Sequence, residues 1–273
     1  MQPGLYLVAV PIGHFEDITL RALRTLKEVD AIFCEDTRVT GPFLKKHEIS
    51  TKLMTYHEHN AEEMRPKIIE NIKKGAKVAL VSDAGTPLIS DPGYKLVREI
   101  VDKKLHVTSL PGPCAAVMAL SMSALPSDQF VFHGFLPAKT KARCDVLKSL
   151  ENLEMTLIFY ESPHRLIESL SDVKEVLGNR SAVIAREMTK EYEEARRGLL
   201  SELIEHYTSK PAKGEIVVLV EGYEASEMNE VQVDSLLTEA LQSMSVKEAA
   251  ASLVSRTGWS KKRLYDRALK LKD

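Results

Sequence analysis

Val81-Ser82-Asp83-Ala84-Gly85-Thr86-Pro87-Leu88-Ile89-Ser90-Asp91-Pro92-Gly93 is the stretch on which the reading of this chain turns. The run Lys77–Val81 before it reads as a short buried strand, and Tyr94–Lys103 after it reads as a helix. Gly, Pro, Asp and Ser recur between them. Ordinary strand-to-helix turns take about 2–6 residues, so this one is long. Gly lets a ligand approach the backbone, and Pro holds the loop in shape. Open α/β sheets bind their ligands at such junctions, at the carboxyl ends of the strands.

Working outward, the alternation continues. Leu5–Val10 is a β-type run ended by Pro11 and Gly13. Thr19 is placed to cap a helix running to about Val29. Ala31–Cys34 is a second strand, Ala61–Lys74 a charged helix, and His106–Leu110 a strand that Pro111-Gly112-Pro113 ends before an Ala-rich helix at Cys114–Ser123. Phe130–His133, Thr156–Tyr160, Ala182–Arg186 and Glu215–Val220 are further strands, with helical stretches at Arg143–Leu150 and His164–Leu177. Leu136–Lys141 reads as an exposed basic loop. The spacing predicts a parallel α/β sheet, and residues 223–230 read as a linker.

Residues 231–273 differ in kind. Val233, Leu236, Leu237, Ala240, Leu241 and Met244 share one helical face, and Val246, Ala249, Ala250, Leu253 and Val254 repeat the pattern. Thr257-Gly258 breaks it, and Ser260 is placed to cap a third helix. The arrangement is helix-turn-helix-like. Lys261–Asp273 carries six basic and two acidic residues. A helical cap with a solvated basic face and a nucleic-acid contact are both open readings of it.

Composition narrows the function classes. The 273 residues are 44% hydrophobic and 28% charged, with net charge −2. No global basic field exists to attract nucleic acid, so a polyanion must meet a local patch. Three widely spaced cysteines make neither a disulfide framework nor a zinc site, and no metal site is expected. The apolar Leu5–Val10 run is too short for a signal core or a membrane span. A cytoplasmic protein is expected. There is no GxxxxGK[ST] phosphate loop, GxGxxG fingerprint, HExxH or GxSxG.

Small-and-charged clusters instead follow one strand after another: Pro11-Ile12-Gly13, Glu35-Asp36-Thr37-Arg38, Ser82–Gly93, Pro111–Ala115, Tyr160–Arg165 and Arg186–Lys190. A parallel sheet would bring them to one cleft. Singly each reads as a turn, a cap or a salt bridge, such as Glu35 with Arg38. In register, and joined by Val10-Pro11-Ile12-Gly13…Glu16-Asp17-Ile18-Thr19-Leu20, Gly134-Phe135-Leu136-Pro137 and Lys213-Gly214-Glu215, they resemble the tetrapyrrole-methylase-like family. Within it the chain is similar to the branch of bacterial 16S ribosomal RNA cytidine 2′-O-methyltransferases. The likeness runs through essentially the whole chain. It departs at Val10, at His14 where Asn is usual, and at Cys114 where Ser is usual.

The resemblance implies a two-domain class III methyltransferase fold, with α/β domains at residues 1–112 and 113–226 and a helix-turn-helix-like unit at 227–273. It implies S-adenosylmethionine in the cleft, held by Pro11, Ala84, Gly85, Thr86, Ile89, Cys114, Ala115, Tyr160 and Gly214. Ser82, Asp83, Ser90 and Asp91 would brace the loop. Candidate proton acceptors are Glu35, Glu161 and Glu187, with Lys190 and Arg165 as positive neighbours. Arg38, Lys139, Lys141, Arg165 and the Lys261–Lys272 face are candidates for contact with 16S rRNA in the small ribosomal subunit. A homodimer is also implied. A tetrapyrrole methylase and a non-catalytic ribosome-assembly protein are the competing readings.

Overall fold

A computed structural model describes residues 1–224 and 228–272. Residues 225–227 of the expected linker lie outside the described residues. Met1–Glu221 form one compact unit and Gly222–Asp273 another.

The first unit begins with a regular alternation: β1 (Gly4–Val8), α1 (Leu20–Glu28), β2 (Ala31–Cys34), α2 (Thr37–Lys46), β3 (Leu53–Thr55), α3 (Ala61–Lys73), β4 (Lys77–Leu80), α4 (Tyr94–Asp102), β5 (Val107–Leu110) and α5 (Ala115–Ser123). The sheet order is β3-β2-β4-β1-β5, and every pairing is parallel. The Thr19 hydroxyl accepts the Ala22 N–H at 3.1 Å and caps α1 as expected. Neither α2 nor β3 was legible. Helix α2 contains Gly41 and Pro42, both poor helix formers, and β3 is only three residues long. Asp36 starts α2 by accepting the Arg38 N–H at 2.8 Å and also pairs with the Arg38 guanidinium. The partner of Arg38 is therefore Asp36 rather than Glu35.

The chain continues through β6 (Phe130–Phe135), α6 (Thr140–Leu150), β7 (Thr156–Glu161), a 3-10 turn at Pro163–Arg165, α7 (Leu166–Leu177), β8 (Ser181–Arg186), β9 (Glu194–Leu199), α8 (Leu200–Ser209) and β10 (Ile216–Val220). This sheet is mixed, in the order β6-β7-β10-β8-β9. Only β6 and β7 pair in parallel; β10 runs antiparallel to β7 and β8, and β9 antiparallel to β8. The expectation of uniformly parallel strands fails here because no helix separates β8 from β9. The sequence of β9, Glu-Ala-Arg-Arg-Gly-Leu, has no clear apolar alternation to announce a strand. The ends of β6, β7 and β8 nevertheless share an edge with the start of β10.

Helix α5 leaves the first sheet and packs on the second. Ala116, Ala119 and Leu120 join Ile158, Val183, Val217 and Leu219 in one core, and Ile12, from the loop after β1, enters it. The stretch expected as a basic loop is partly structure. Leu136 is buried, α6 starts at Thr140, and only Ala138, Lys139, Thr140 and Lys141 are exposed. Arg143, fully buried, donates to Asp172 at 2.6 Å through Nε and to Glu168 at 2.6 Å through Nη2.

The second unit holds α9 (Glu230–Leu241), α10 (Val246–Ser252), α11 (Val254–Thr257) and α12 (Lys261–Lys272) around Val233, Leu237, Leu253, Trp259 and Leu264. Ser260 accepts the Arg263 N–H at 3.2 Å, as its capping role requires. Arg267 turns inward to Asp234 and Glu230, so it is not part of an open basic face. Among the described residues no helix is long and apolar enough to cross a membrane.

Candidate active site

The loop after β4 is shaped by its own side chains. Ser82 Oγ donates to the Ala84 carbonyl at 3.0 Å, and Thr86 Oγ1 to the Pro113 carbonyl at 2.8 Å. Asp83 Oδ1 accepts the Asp36 N–H at 3.1 Å, tying the ends of β4 and β2 together. Leu88 and Ser90 both adopt left-handed φ, 73° and 66°. Such conformations cost energy and gather where a site must hold its shape.

This loop forms one wall of a cavity of about 340 Å³. The opposite wall comes from the ends of β7 and β8 and the start of β10. Of the residues expected around a cofactor, Ala84, Gly85, Thr86, Ile89, Cys114, Ala115, Tyr160 and Gly214 line it. Pro11 instead lines a neighbouring cavity of about 260 Å³. Gly214, at φ 82°, lies against the Glu187 carboxylate, which a Cβ there would displace. Burial pushes the Tyr160 hydroxyl up to about 12, with the nearby Cys114 thiol adding to it.

The candidate acid–base groups separate. Glu161 lines the cavity, but Ser162 N–H donates to its Oε1 at 2.8 Å and Ser169 Oγ to its Oε2. Glu35 is exposed at the end of β2, but its carboxyl is partly desolvated, and that together with Asp83 and Glu58 raises its pKa. Glu187 and Lys190 stand behind the wall. Lys190 Nζ donates to Glu187 Oε1 at 3.1 Å and to Glu215 Oε2 at 2.9 Å. Burial opposes the charge on Glu187, yet the Glu215 N–H and Lys190 outweigh it and hold its pKa low. Of the residues expected to touch RNA, Arg38 is exposed beside Asp36, and Lys139 and Lys141 are exposed near α6. Arg165 donates to the Leu136 and Pro137 carbonyls at 2.8 and 3.1 Å, which makes it a clamp on that turn.

Comparison with known proteins agrees with this geometry. Residues 4–204 match the tetrapyrrole (corrin/porphyrin) methylase family, and residues 227–272 match the RsmI C-terminal HTH domain. A protein of Mesorhizobium japonicum named ribosomal RNA small subunit methyltransferase I is 49% identical, over 100% of this chain and 94% of its own length. This chain belongs to the ribosomal RNA small subunit methyltransferase I family. The Escherichia coli O157:H7 protein of that name is 46% identical, over 98% of this chain and 95% of its own. Among solved structures, uroporphyrin-III-C-methyltransferase from Thermus thermophilus superposes with a TM-score of 0.57 at 19% identity, covering 80% of this chain and 94% of that one. Diphthine synthase gives 0.64 at 15% identity, covering 80% and 89%. These two share the fold.

Two carboxylates of this methyltransferase I family member went unrecognised as site residues. Glu215 lines both cavities. It is the third member of the ion-paired set with Glu187 and Lys190; its motif, Lys213-Gly214-Glu215, marked the stretch but gave its carboxylate no role. Asp91, read as a loop brace, is in the cavity wall. Burial pushes its carboxyl up to about 6; Ser82 opposes the shift, while Glu35 and Asp83 add to it.

The walls fit S-adenosylmethionine. Ile12, Ile89, Met188 and Val217 offer apolar surface, Gly85, Ala115 and Gly214 leave backbone accessible, and Asp91 faces the cavity with a carboxylate suited to a cation.

Proposed function

We propose that this chain transfers a methyl group from S-adenosylmethionine to the 2′-hydroxyl of a cytidine ribose in the decoding centre of 16S ribosomal RNA, on the small ribosomal subunit. Membership of the methyltransferase I family supports methylation of ribosomal RNA. The observation that carries the reading is the cavity of about 340 Å³, where the expected donor-binding residues gather beside an ion-paired carboxylate.

The donor, when bound, supplies an electrophilic methyl group on a sulfonium. The chain supplies placement and proton handling. Holding the hydroxyl in line with that group is worth on the order of 7–11 kcal/mol. A ribose hydroxyl is a poor nucleophile, so a nearby base helps. Glu215 is the carboxylate on the wall that both cavities share, and Lys190, itself paired with Glu187, holds it directly through Oε2. Among the described residues only its Oε2 accepts a hydrogen bond, from Lys190, whereas both oxygens of Glu161 do, so Glu215 is the better placed to accept a proton.

A tetrapyrrole methylase would share the cavity and the donor. The C-terminal helix-turn-helix match favours the RNA reading, and exposed Lys261, Lys262 and Lys270 on α12 give that unit basic groups for phosphates. A homodimer is part of the proposal, checked by light scattering. The deciding experiment is labelled-methyl transfer to small subunits from a strain lacking the modification, followed by nucleoside analysis. 2′-O-methylcytidine is expected; a methylated base, or no transfer, overturns the ribose assignment. In single turnover, Glu215→Gln should slow transfer about 100-fold, with Glu35→Ala near the parent rate.

A further inference from the structure

The cavity of about 260 Å³ beside the donor cavity has walls that the donor does not need. We propose that it receives the acceptor nucleobase, turned out of the RNA stack, with Phe15 as its stacking surface and Asp83 as acceptor for an exocyclic amino group. This rests on the ribose-methylation reading above and adds the residues that select the base.

Three observations carry it. First, Ile12, Ala84 and Glu215 line both cavities. A nucleotide with its base in the smaller one therefore brings its ribose to the shared wall, next to Glu215. Second, Phe15 is 42% exposed and lines this cavity, with Lys46 Nζ 3.7 Å from its ring centroid. An exposed aromatic ring braced on one face by a cation offers the other to a base, and base–aromatic stacking is a common mode of RNA recognition. Enzymes that act on a base in structured nucleic acid flip the nucleotide into a pocket, and the same motion here would carry the ribose to the shared wall.

Third, the polar groups here are underused. Asp83 lines the cavity and has no cationic partner among the described residues. Burial raises its carboxyl pKa, against the Asp36 N–H that it accepts. The Thr40 hydroxyl, 4% exposed, lies against the Cys34 thiol with no oxygen or nitrogen partner. A carboxylate matches the amino group of cytosine. Uracil would set a carbonyl oxygen against it, and sites built for a hydrogen bond reject the analogue that cannot make it. The cavity also gives a role to Pro11 and Gly13, which line it and not the donor's walls.

The test uses the full chain and small subunits lacking the modification, bearing cytidine or uridine at the acceptor position. Retention on subunits is read by sedimentation without donor, methyl transfer by steady-state kinetics, and donor affinity by calorimetry. Phe15→Ala should weaken retention and raise KM about tenfold, Phe15→Trp should restore both, and donor affinity should stay within about twofold. Asp83→Asn keeps an acceptor for the Asp36 N–H, and should cut the cytidine-to-uridine preference about tenfold. Unchanged retention and KM in Phe15→Ala, or an unchanged preference in Asp83→Asn, overturns the proposal. Loss of donor affinity in Asp83→Asn also counts against it, because that makes Asp83 a brace for the donor site. If the parent chain binds subunits but transfers no methyl group, the ribose reading fails, and retention still decides whether Phe15 contacts RNA.

Discussion

Gly214 and Glu187 share one space: the Glu187 carboxylate fills the volume where a side chain at residue 214 would begin, and its Oε1 accepts the Glu215 N–H at 3.1 Å. The first link of the Glu187–Lys190–Glu215 chain thus depends on a residue with no side chain.

Gly214→Ala should therefore destabilise the protein by about 2–3 kcal/mol, from steric overlap together with a left-handed φ. Glu187→Ala in the same chain should recover part of that loss. Urea unfolding of the two single variants and the double variant should show non-additive energies, as expected for residues in contact.

Arg143 is fully buried between Asp172 and Glu168, and also approaches the Pro137 and Ala138 carbonyls. Arg143→Ala leaves Asp172 without its cation in a buried site. A loss of about 3–5 kcal/mol is expected in urea unfolding. Arg143→Lys should recover only part of it, since an ammonium lacks the planar fork that meets both carboxylates.

Burial pushes the Asp91 carboxyl up to about 6 in the folded chain, above its ordinary 3.8. The folded state keeps this proton longer than the unfolded state does, so stability from it is present below pH 4 and is lost as pH rises through 6. After discounting for partial exposure, the cost above pH 6 is on the order of 1–2 kcal/mol. Asp91→Asn should melt higher than the parent at pH 8, and the gap should close near pH 4. Equal gaps at both pH values would show that the carboxyl is not the cause.

Lys139 and Lys141 are exposed, and neither enters an ion pair among the described residues. If they contact phosphate, Lys139→Ala and Lys141→Ala should each flatten the plot of log affinity for small subunits against log salt by about 0.7–0.9. Arg165→Ala should act differently. It releases the Leu136–Pro137 turn and should lower thermal stability, which circular dichroism would register.

Much of the architecture was legible from local pattern. Apolar runs such as Ala31–Cys34 and Lys77–Leu80 became strands of the first sheet, and Thr19 and Ser260 capped the helices they preceded. The failures share a physical cause. Strand β9 carries Glu194, Arg196 and Arg197; Arg186 and Arg196 pair with Glu194, and Arg197 donates to the Ser123 and Met122 carbonyls. The pattern of β9 alone therefore reads as loop. Helix α2 forms despite Gly41 and Pro42 because Asp36 caps it and Phe43 and Leu44 are buried in the core beneath the first sheet.

The sequence by itself determined that strands alternate with helices, that the Ser82–Gly93 loop is rigid and long, and that the motifs belong to one methyltransferase family. Those properties depend on residue type and spacing along the chain. Only the tertiary structure decided that the second sheet is mixed, that Pro11 faces a second cavity, and that Glu215 stands on the wall between the two. It also decided that Asp91 stands in the cavity wall, where burial pushes its carboxyl up to about 6. Pairing, burial and charge proximity join residues far apart in sequence, so local pattern alone does not contain them.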